Sequence, residues 1–449
     1  MALQPTRLHL CDGVIGRAAT ILLGGLLLIW PAFANGYPLL FSDTGAFLVQ
    51  LLGRYMVWDK PYIYGPVLAV VSLKLTLWLP ALAQGALLSW VLWRVQAVFC
   101  RPFPWRHLVL CLFLSLTSAA PWFASLLMPD VLAPISVLAL FLLAYSDSGR
   151  RWPLHIIASF AIASHLTHLV IAAACLAVVL LLRPRAVPRA SVPLLVALAL
   201  LLATNIIGHG RFGVSPFGSV FALARLVADG PAADYLTESC PESGYRLCAW
   251  VGRLPGKEDD FLWDPKGPVW TTPGGPIALA PEASRIVQAT VLTRPLAVAH
   301  AALGNMLTQL ATVRLDEVIG AYWLDETVGF RLRAYYPVSE EARFQAGAQR
   351  HDKLRVIAAP MQTPHMYLLA LGALGTLAVL ILSWRRAPTL SALAALIGVG
   401  ILANAFVTGA LSGPHDRYGA RIAWLLLLTP AIYVMARSTA SGEERTIAS

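Results

Sequence analysis

Three polar segments interrupt an otherwise apolar chain, and each carries a charged side chain that could do chemistry. Asp43 follows the first hydrophobic stretch, and Asp130 lies in a short turn between two later stretches. A carboxylate at a membrane boundary can act as a general base on a hydroxyl group, or hold a divalent cation beside a phosphate. Arg417 and Arg421 lie in the third segment, and their planar guanidinium groups suit phosphate recognition.

Each of these residues also has a structural interpretation. Asp43 and Asp130 both stand where a helix is predicted to begin, and an aspartate there commonly caps backbone N–H groups. The arginines could anchor the chain in the membrane interface. Two observations favour function: the predicted topology puts both aspartates on the outer face, and an arginine pair on that face runs against the usual distribution of positive charge.

Four further polar residues are secondary candidates. Lys74 either pairs with a pyrophosphate or extends its ammonium group to the interface. His165 and His168 lie at a predicted outer turn and could bind a metal or a phosphate, although a hydrogen-bonded pair within the bundle is the favoured interpretation. His415 belongs to the same polar segment as Arg417.

The composition restricts the class of protein. With 57% hydrophobic and 13% charged residues, a chain of 449 residues is too apolar for a soluble protein and is typical of a polytopic membrane protein. The net charge of +10 could suggest nucleic acid, but the basic residues form short clusters between apolar stretches, at 101–106, 150–151, 183–189 and 385–386. That is the positive-inside pattern of cytoplasmic loops, so we expect no nucleic-acid partner.

We predict an all-α polytopic membrane protein with about ten transmembrane helices, since a span needs about 20 apolar residues. The predicted spans are 17–34, 79–98, 108–127, 131–146, 154–165, 169–182, 191–207, 366–384, 389–411 and 421–436. Residues 154–182 are either one long helix or two short ones. Two are favoured, because an even total of ten spans places every basic cluster and both termini in the cytoplasm. Cleavage after residues 32–34 is an alternative to a retained first helix.

The remaining segments define three parts of the chain. Residues 1–207 form an N-terminal transmembrane module, whose first outer loop, 35–78, includes an apolar interfacial helix. Residues 208–365 form one large extracytoplasmic loop region, in which the periodicity of 283–320 predicts amphipathic helices and Cys240 and Cys248 are expected to form a disulfide. Residues 366–449 form a C-terminal transmembrane module.

The chain resembles the GT-C class of integral-membrane glycosyltransferases, which includes protein mannosyltransferases and the aminoarabinose transferases of lipid A. The resemblance is clearest in the first 150 residues: one span, an outer loop with Asp43, the Lys-Pro-Tyr-x-Tyr-Gly stretch at 60–65, and Asp130 in the next outer turn. Near the C-terminus, 415–418 is similar to the Arg-Tyr element of such proteins. No P-loop, Gly-x-Ser-x-Gly or HExxH motif occurs in the sequence.

The resemblance implies a transferase that moves a sugar from a polyprenyl-phosphate donor to an envelope glycan, lipid or protein by an inverting single displacement. Asp43 would be its catalytic residue, and Asp130 would bind the acceptor or a metal. Arg417, with Arg421 and Lys74, would contact the lipid phosphate. The cofactor stays open: a divalent cation is one alternative, but the second loop has Asp130 alone and no paired acid, which argues against a metal. The expected location is a bacterial inner membrane.

Two other classes of function remain open from the sequence. A transporter or lipid flippase predicts inverted repeats and helices broken at the bilayer midplane, whereas the polar residues here cluster at one boundary. A non-catalytic component of an envelope-polysaccharide complex would use 208–365 to bind another protein.

Overall fold

The computed structural model describes residues 13–146 and 151–447, with side chains to residue 438. The start of the predicted N-terminal module and residue 150 of one predicted basic loop lie outside these ranges. Regular structure in the described ranges is helical and includes no strand, which confirms the all-helical class. The only pairing of extended backbone found there is one isolated bridge between Leu39 and Leu126.

The helices fall into three groups along the chain. The first group is α1 (Val14–Leu27), α2 (Trp30–Asn35), α3 (Ser42–Leu52), α4 (Tyr64–Val71), α5 (Trp78–Phe99), α6 (Pro104–Thr117), α7 (Ala120–Ser125), α8 (Leu132–Tyr145), α9 (Trp152–Ala163), α10 (Leu166–Leu182) and α11 (Val187–His209). The second is α12 (Gly218–Ala228), α13 (Pro231–Ser239), α14 (Glu258–Trp263), α15 (Pro268–Thr271), α16 (Gly275–Thr293), α17 (Pro295–Ala311), α18 (Asp316–Ile319), α19 (Phe330–Tyr335) and α20 (Val338–Ala346). The third is α21 (Lys353–Ser383), α22 (Pro388–Leu411), α23 (Asp416–Ala423) and α24 (Leu425–Ile447).

Four segments of the described chain are long and apolar enough to cross a membrane: Pro184–His209, Lys353–Ser383, Pro388–Leu411 and Asp416–Ser438. A fifth is counted if α16 and α17, which meet at a bend of 103°, form one broken span or a re-entrant loop. The structure therefore supports a membrane protein but does not confirm about ten spans. The physical reason is helix length, since the 12 residues of α9 rise only about 18 Å, against a hydrocarbon core of about 30 Å.

The predicted span pair at 154–182 is two helices. The chain leaves the helical conformation at His165, between α9 and α10, and the His165 ring accepts a hydrogen bond from the Thr167 N–H as the cap of α10. This break agrees with the two-helix alternative and places the polar side chains of 164–168 at one end of the bundle.

Helix α8 is the centre of the bundle. It is apolar on every side, and all its residues from Leu132 to Ala144 are buried, which is the pattern of a helix surrounded by other helices. Helices α5, α9, α10, α11 and α22 pack around it. A short 3₁₀ turn, Pro129–Val131, precedes α8 and fixes Asp130 at its end.

The region 208–365 contains two differently built parts. Its first part, from Phe217 to Ile286, packs around a hydrophobic core of its own, and a disulfide joins Cys240 and Cys248 within it. Its later part, from Leu315 to Phe344, contributes to the main core of the membrane bundle. The region is therefore not a single loop domain, since only its first part has a separate core.

Candidate functional site

Asp43 is held at the start of α3 without being used as a helix cap. Thr44 supplies the cap contact instead, because its Oγ1 accepts the backbone N–H of Phe41 at 3.0 Å. Within the described residues, Asp43 accepts no backbone hydrogen bond, and its carboxylate has only side chains as partners. The helix N-terminus still favours a negative charge in its first turn. The purely structural interpretation of Asp43 as a cap is therefore wrong.

Two glycines allow the helices that carry the site to approach their neighbours. A Cβ atom at Gly45 would lie 1.9 Å from the carbonyl oxygen of Thr327, so α3 can pack here only with glycine. At Gly419, which lies between the two arginines of α23, a Cβ atom would likewise lie 2.0 Å from the carbonyl oxygen of Thr312. Through these contacts, α3 near Asp43 and α23 near its two arginines pack against the segment that follows α17.

The first part of the site is an ion pair in which only the carboxylate is partly exposed to solvent. The Asp43 Oδ1 atom lies 3.2 Å from Lys60 Nζ, and Lys60 also pairs with its neighbour Asp59. The Asp43 side chain is 31% exposed. Burial would raise the pKa of Asp43, but the charges of Lys60 and Arg417 hold that pKa below its usual range. Asp43 is therefore an accessible carboxylate that is ionised at neutral pH.

The inner part of the site is a second, fully buried ion pair. Asp130 is 1% exposed, and its Oδ1 atom lies 3.4 Å from Arg421 Nη1. Arg421 also donates to Asn404 Oδ1, at 2.8 Å from Nη2 and 3.2 Å from Nε, and to Thr167 Oγ1 at 3.0 Å. These partners satisfy a guanidinium group that would otherwise be buried at great cost. A solute in the outer water cannot reach Asp130 in this structure.

Arg417 joins the two parts. Its Nη1 atom lies 3.6 Å from Asp43 Oδ2, and its Nε atom lies 3.6 Å from Asp130 Oδ1. Its guanidinium carbon lies 4.3 Å from the centre of the Phe41 ring and 5.0 Å from that of Tyr418. Nη1 is buried and has no hydrogen-bond partner in the described residues. Arg417 therefore keeps a donor free beside the accessible carboxylate.

A further acidic residue fixes the start of α23. Glu317, in α18, accepts the Arg417 backbone N–H at 3.1 Å and contacts His415 Nδ1 at 3.0 Å. Burial would lower the pKa of His415, but Glu317 and Asp259 hold that pKa above its ordinary value. On its other side, His415 Nε2 lies 3.8 Å from Glu258. His415 is thus a link between α18, α14 and α23 and does not contact Asp43.

The other histidine candidates lie behind the arginines. His165 contacts Thr167 Oγ1 at 2.8 Å, and Thr167 in turn accepts from Arg421. His168 is buried and bonds through Nδ1 to the carbonyl oxygen of Ala161 at 2.7 Å. These contacts fit the favoured interpretation of a pair hydrogen-bonded within the bundle.

The structure separates Lys74 from this site. Lys74 lies exposed in the turn between α4 and α5 and has no ion-pair partner among the described residues. Lys60 occupies the position beside Asp43 that a phosphate-binding lysine would need. Lys60 was not among the predicted site residues, although it lies in the same predicted outer loop as Asp43. Asn404 and Glu317, which no motif or spacing marks, were not among them either.

Two cavities lie beside α21 rather than over Asp43. The larger, of about 240 Å³, lies between the outer ends of α6 and α21 and is mainly apolar, with Trp122, Leu315, Met361 and His365 in its wall. The smaller also has Leu315 and His365 in its wall. Leu315 is two residues before Glu317, which accepts the Arg417 backbone N–H. Both cavities therefore lie near the segment that holds Arg417, but the ion-paired side chains are not in their walls.

A metal centre was one of the alternatives for Asp130. In the described ranges, no three His, Cys, Asp or Glu side chains are grouped closely enough to hold a metal ion. No protein-family model, curated protein or solved structure matches this chain. The interpretation of the site therefore rests on its geometry.

Proposed function

We propose that this protein is a membrane glycosyltransferase that moves a sugar from a polyprenyl-phosphate donor to an acceptor on the extracytoplasmic side. The observation that carries the proposal is the contact between Asp43 and Arg417. An ionised, partly exposed carboxylate lies 3.6 Å from a buried guanidinium nitrogen that makes no hydrogen bond within the described part of the chain. A general base and an anion-binding donor side by side are what transfer from a phosphate leaving group requires.

In the proposed reaction, Asp43 accepts the proton of an acceptor hydroxyl group as its oxygen attacks the anomeric carbon. The bond between that carbon and the phosphate oxygen breaks, and its electron pair stays on the phosphate. Arg417 and Lys60 stabilise the charge that develops there. A single displacement of this kind inverts the anomeric configuration.

The cations that lower the pKa of Asp43 also make it a weak base in the free protein. A bound donor phosphate would compete with Asp43 for Lys60 and Arg417. That competition raises the basicity of Asp43 only when a donor is present, so the proton is taken in the complex that can react. Asp130 and Arg421 would act as positioning residues, because Asp130 is buried against Arg417 Nε and Arg421 in turn holds the Asp130 carboxylate.

The membrane setting supports a lipid-linked donor. The apolar cavity beside α21 ends at Leu315, close to the segment that holds Arg417, and could take the first part of a prenyl chain. Basic clusters between the apolar stretches favour cytoplasmic loops on the opposite side, hence both termini in the cytoplasm of a bacterium and the site facing outward. A structural ion network in a transporter or in a non-catalytic subunit of an envelope complex is the rival interpretation.

The test replaces Asp43 by asparagine in the full-length protein in its own host. We expect transfer of sugar to the envelope glycan to fall by about 10²- to 10⁴-fold, the usual contribution of a general base. Asp234→Asn is the matched control, because Asp234 is an exposed aspartate of α13 that makes no ion pair in the described residues. Immunoblotting of the membrane fraction checks that both variants are present at the normal level. An unchanged envelope glycan in Asp43→Asn cells would contradict the proposal.

A further inference from the structure

Three aromatic rings from distant parts of the chain meet beside the outer ion pair. The ring of Trp58, in the loop before α4, lies 5.3 Å from that of Phe221 in α12 and 6.0 Å from that of Trp263 in α14. Phe221 and Trp263 are also 6.0 Å apart. We call these three residues the aromatic shelf. Such ring contacts hold the shelf in one arrangement and join the first outer loop to the part of the chain with its own core.

The shelf adjoins the accessible carboxylate. Lys60 Nζ lies 5.9 Å from the centre of the Trp263 ring and 3.2 Å from Asp43 Oδ1. A single lysine ammonium group therefore separates the indole from the proposed general base. A molecule resting on Trp263 would have its edge beside Asp43.

Trp263 has not been buried by this packing. It is 42% exposed, whereas the two rings that support it are partly buried. Asp259 and Asp260 precede it by four and three residues on α14, so both are its neighbours on the surface of that helix, and both are exposed. The exposed indole face is thus bordered by carboxylates and by the Lys60 ammonium group.

This combination identifies the kind of occupant. A lipid chain would gain nothing from the carboxylates, and an anionic headgroup would be repelled by them. A pyranose ring has an apolar C–H face that can lie on an indole and hydroxyl groups around its edge that can donate to carboxylates. The shelf therefore fits a sugar ring better than a lipid.

We propose that the aromatic shelf binds a sugar ring of the acceptor, which is therefore a glycan, and presents the neighbouring hydroxyl group to Asp43. The inference rests on the proposed function and narrows it to one acceptor class. It also assigns Trp58 and Phe221 as the support that keeps the Trp263 face open.

The test measures glycan binding separately from transfer. Full-length protein in lipid nanodiscs is titrated calorimetrically with oligosaccharides released by mild acid from the host envelope, without any donor. We expect Trp263→Ala to weaken binding by about three- to tenfold, the range for loss of one aromatic contact, and Trp263→Phe to lose less. Trp384→Ala is the control, since Trp384 is 54% exposed at the end of α21 and makes no ring contact with the shelf in the described residues.

Two results would overturn the inference. One is a wild-type protein that does not bind the oligosaccharides, or equal losses in Trp263→Ala and Trp384→Ala. The other is strong quenching of Trp263 fluorescence by brominated lipids, judged from the difference between wild type and Trp263→Phe, which would place the shelf in the membrane. Because no donor is present, glycan binding that depends on Trp263 would stand even if Asp43→Asn left transfer unchanged.

Discussion

Asp43 and Asp130 are the same residue type, each at the start of a helix and each in contact with Arg417, yet their surroundings differ completely. Asp43 is 31% exposed and shares its charge with a lysine in the outer loop. Asp130 is 1% exposed and is enclosed by two arginines. Solvent access rather than residue type separates them. Asp43 is accessible to a bound molecule, whereas Asp130 is buried and contacts other side chains, among them Arg417. The following predictions test this division, beginning with the largest expected effect.

The inner pair should matter most for folding. Asp130→Asn removes the buried counter-charge of Arg417 and Arg421, and breaking a buried pair on one side costs about 3–5 kcal/mol. We expect a large fall in the thermal unfolding midpoint and in the amount of protein in the membrane. Asp43→Asn should change both less, because Lys60 keeps Asp59 and Arg417 keeps Asp130 as a counter-charge. Equal destabilisation by the two variants would contradict the division.

Arg417 should matter for turnover. Arg417→Lys keeps the positive charge but loses the planar fork and the stacking on Phe41. We expect the transfer rate from a radiolabelled lipid-linked sugar to fall by about 10²-fold, as when one charge-stabilising donor is lost, while the unfolding midpoint falls less than in Asp130→Asn because the charge is kept. A variant with the wild-type rate would show that Arg417 is structural.

The pH dependence of the transfer reaction should reveal the ion pair between Lys60 and Asp43. The pKa of Asp43 is depressed, so its charged form prevails in the free protein until the pH falls below the ordinary range of an aspartate. Its contribution to stability is likewise present above the unfolded pKa and lost as the pH falls through the folded value. In Lys60→Met the largest attractive charge is gone, so the acid limb of kcat/KM should move to higher pH. Across about pH 4 to 8 the wild-type profile should stay flat on its acid side, whereas Lys60→Met should lose activity toward pH 4; flat profiles in both would contradict the pairing.

Lys74 should have the smallest effect. It is exposed and has no ion-pair partner in the described residues, so Lys74→Gln should leave the transfer rate and the unfolding midpoint unchanged. A substantial loss of activity in this variant, with normal expression, would show that the donor extends to the turn after α4.

The parts of the site that the sequence predicted are those with a strong local signal. Asp43, Asp130, Arg417 and Arg421 are charges at the edges of apolar stretches, and such charges are rare enough to mark a place where several helices end together. The structure brings these four side chains into one network. Their roles could not be divided in advance, because burial depends on the packing of α23 against α8.

The rest of the site depends on contacts between distant segments. Asn404 lies in the middle of an apolar helix, and only the approach of α22 to α23 gives it Arg421 as a partner. Glu317 is one acid among several in a polar region, and Lys60 was passed over in favour of Lys74, which is closer to a predicted span. The predicted number of spans stays unconfirmed for a related reason, since apolar runs show that a segment is buried but not whether it crosses.

The separate core between Phe217 and Ile286 has a consequence for how such a protein could diversify. A part that packs on itself can change its surface without disturbing the bundle, provided that the contact between Glu258 and His415 is kept. Within it, α14 carries Trp263 and the acids around it, whereas Asp43 and Arg417 belong to other parts of the chain. Under the proposed function, the residues that select the acceptor and the residues that carry out the transfer would then lie in different parts of the chain. Exchanging this one part between relatives could change the acceptor while the transfer reaction stays the same.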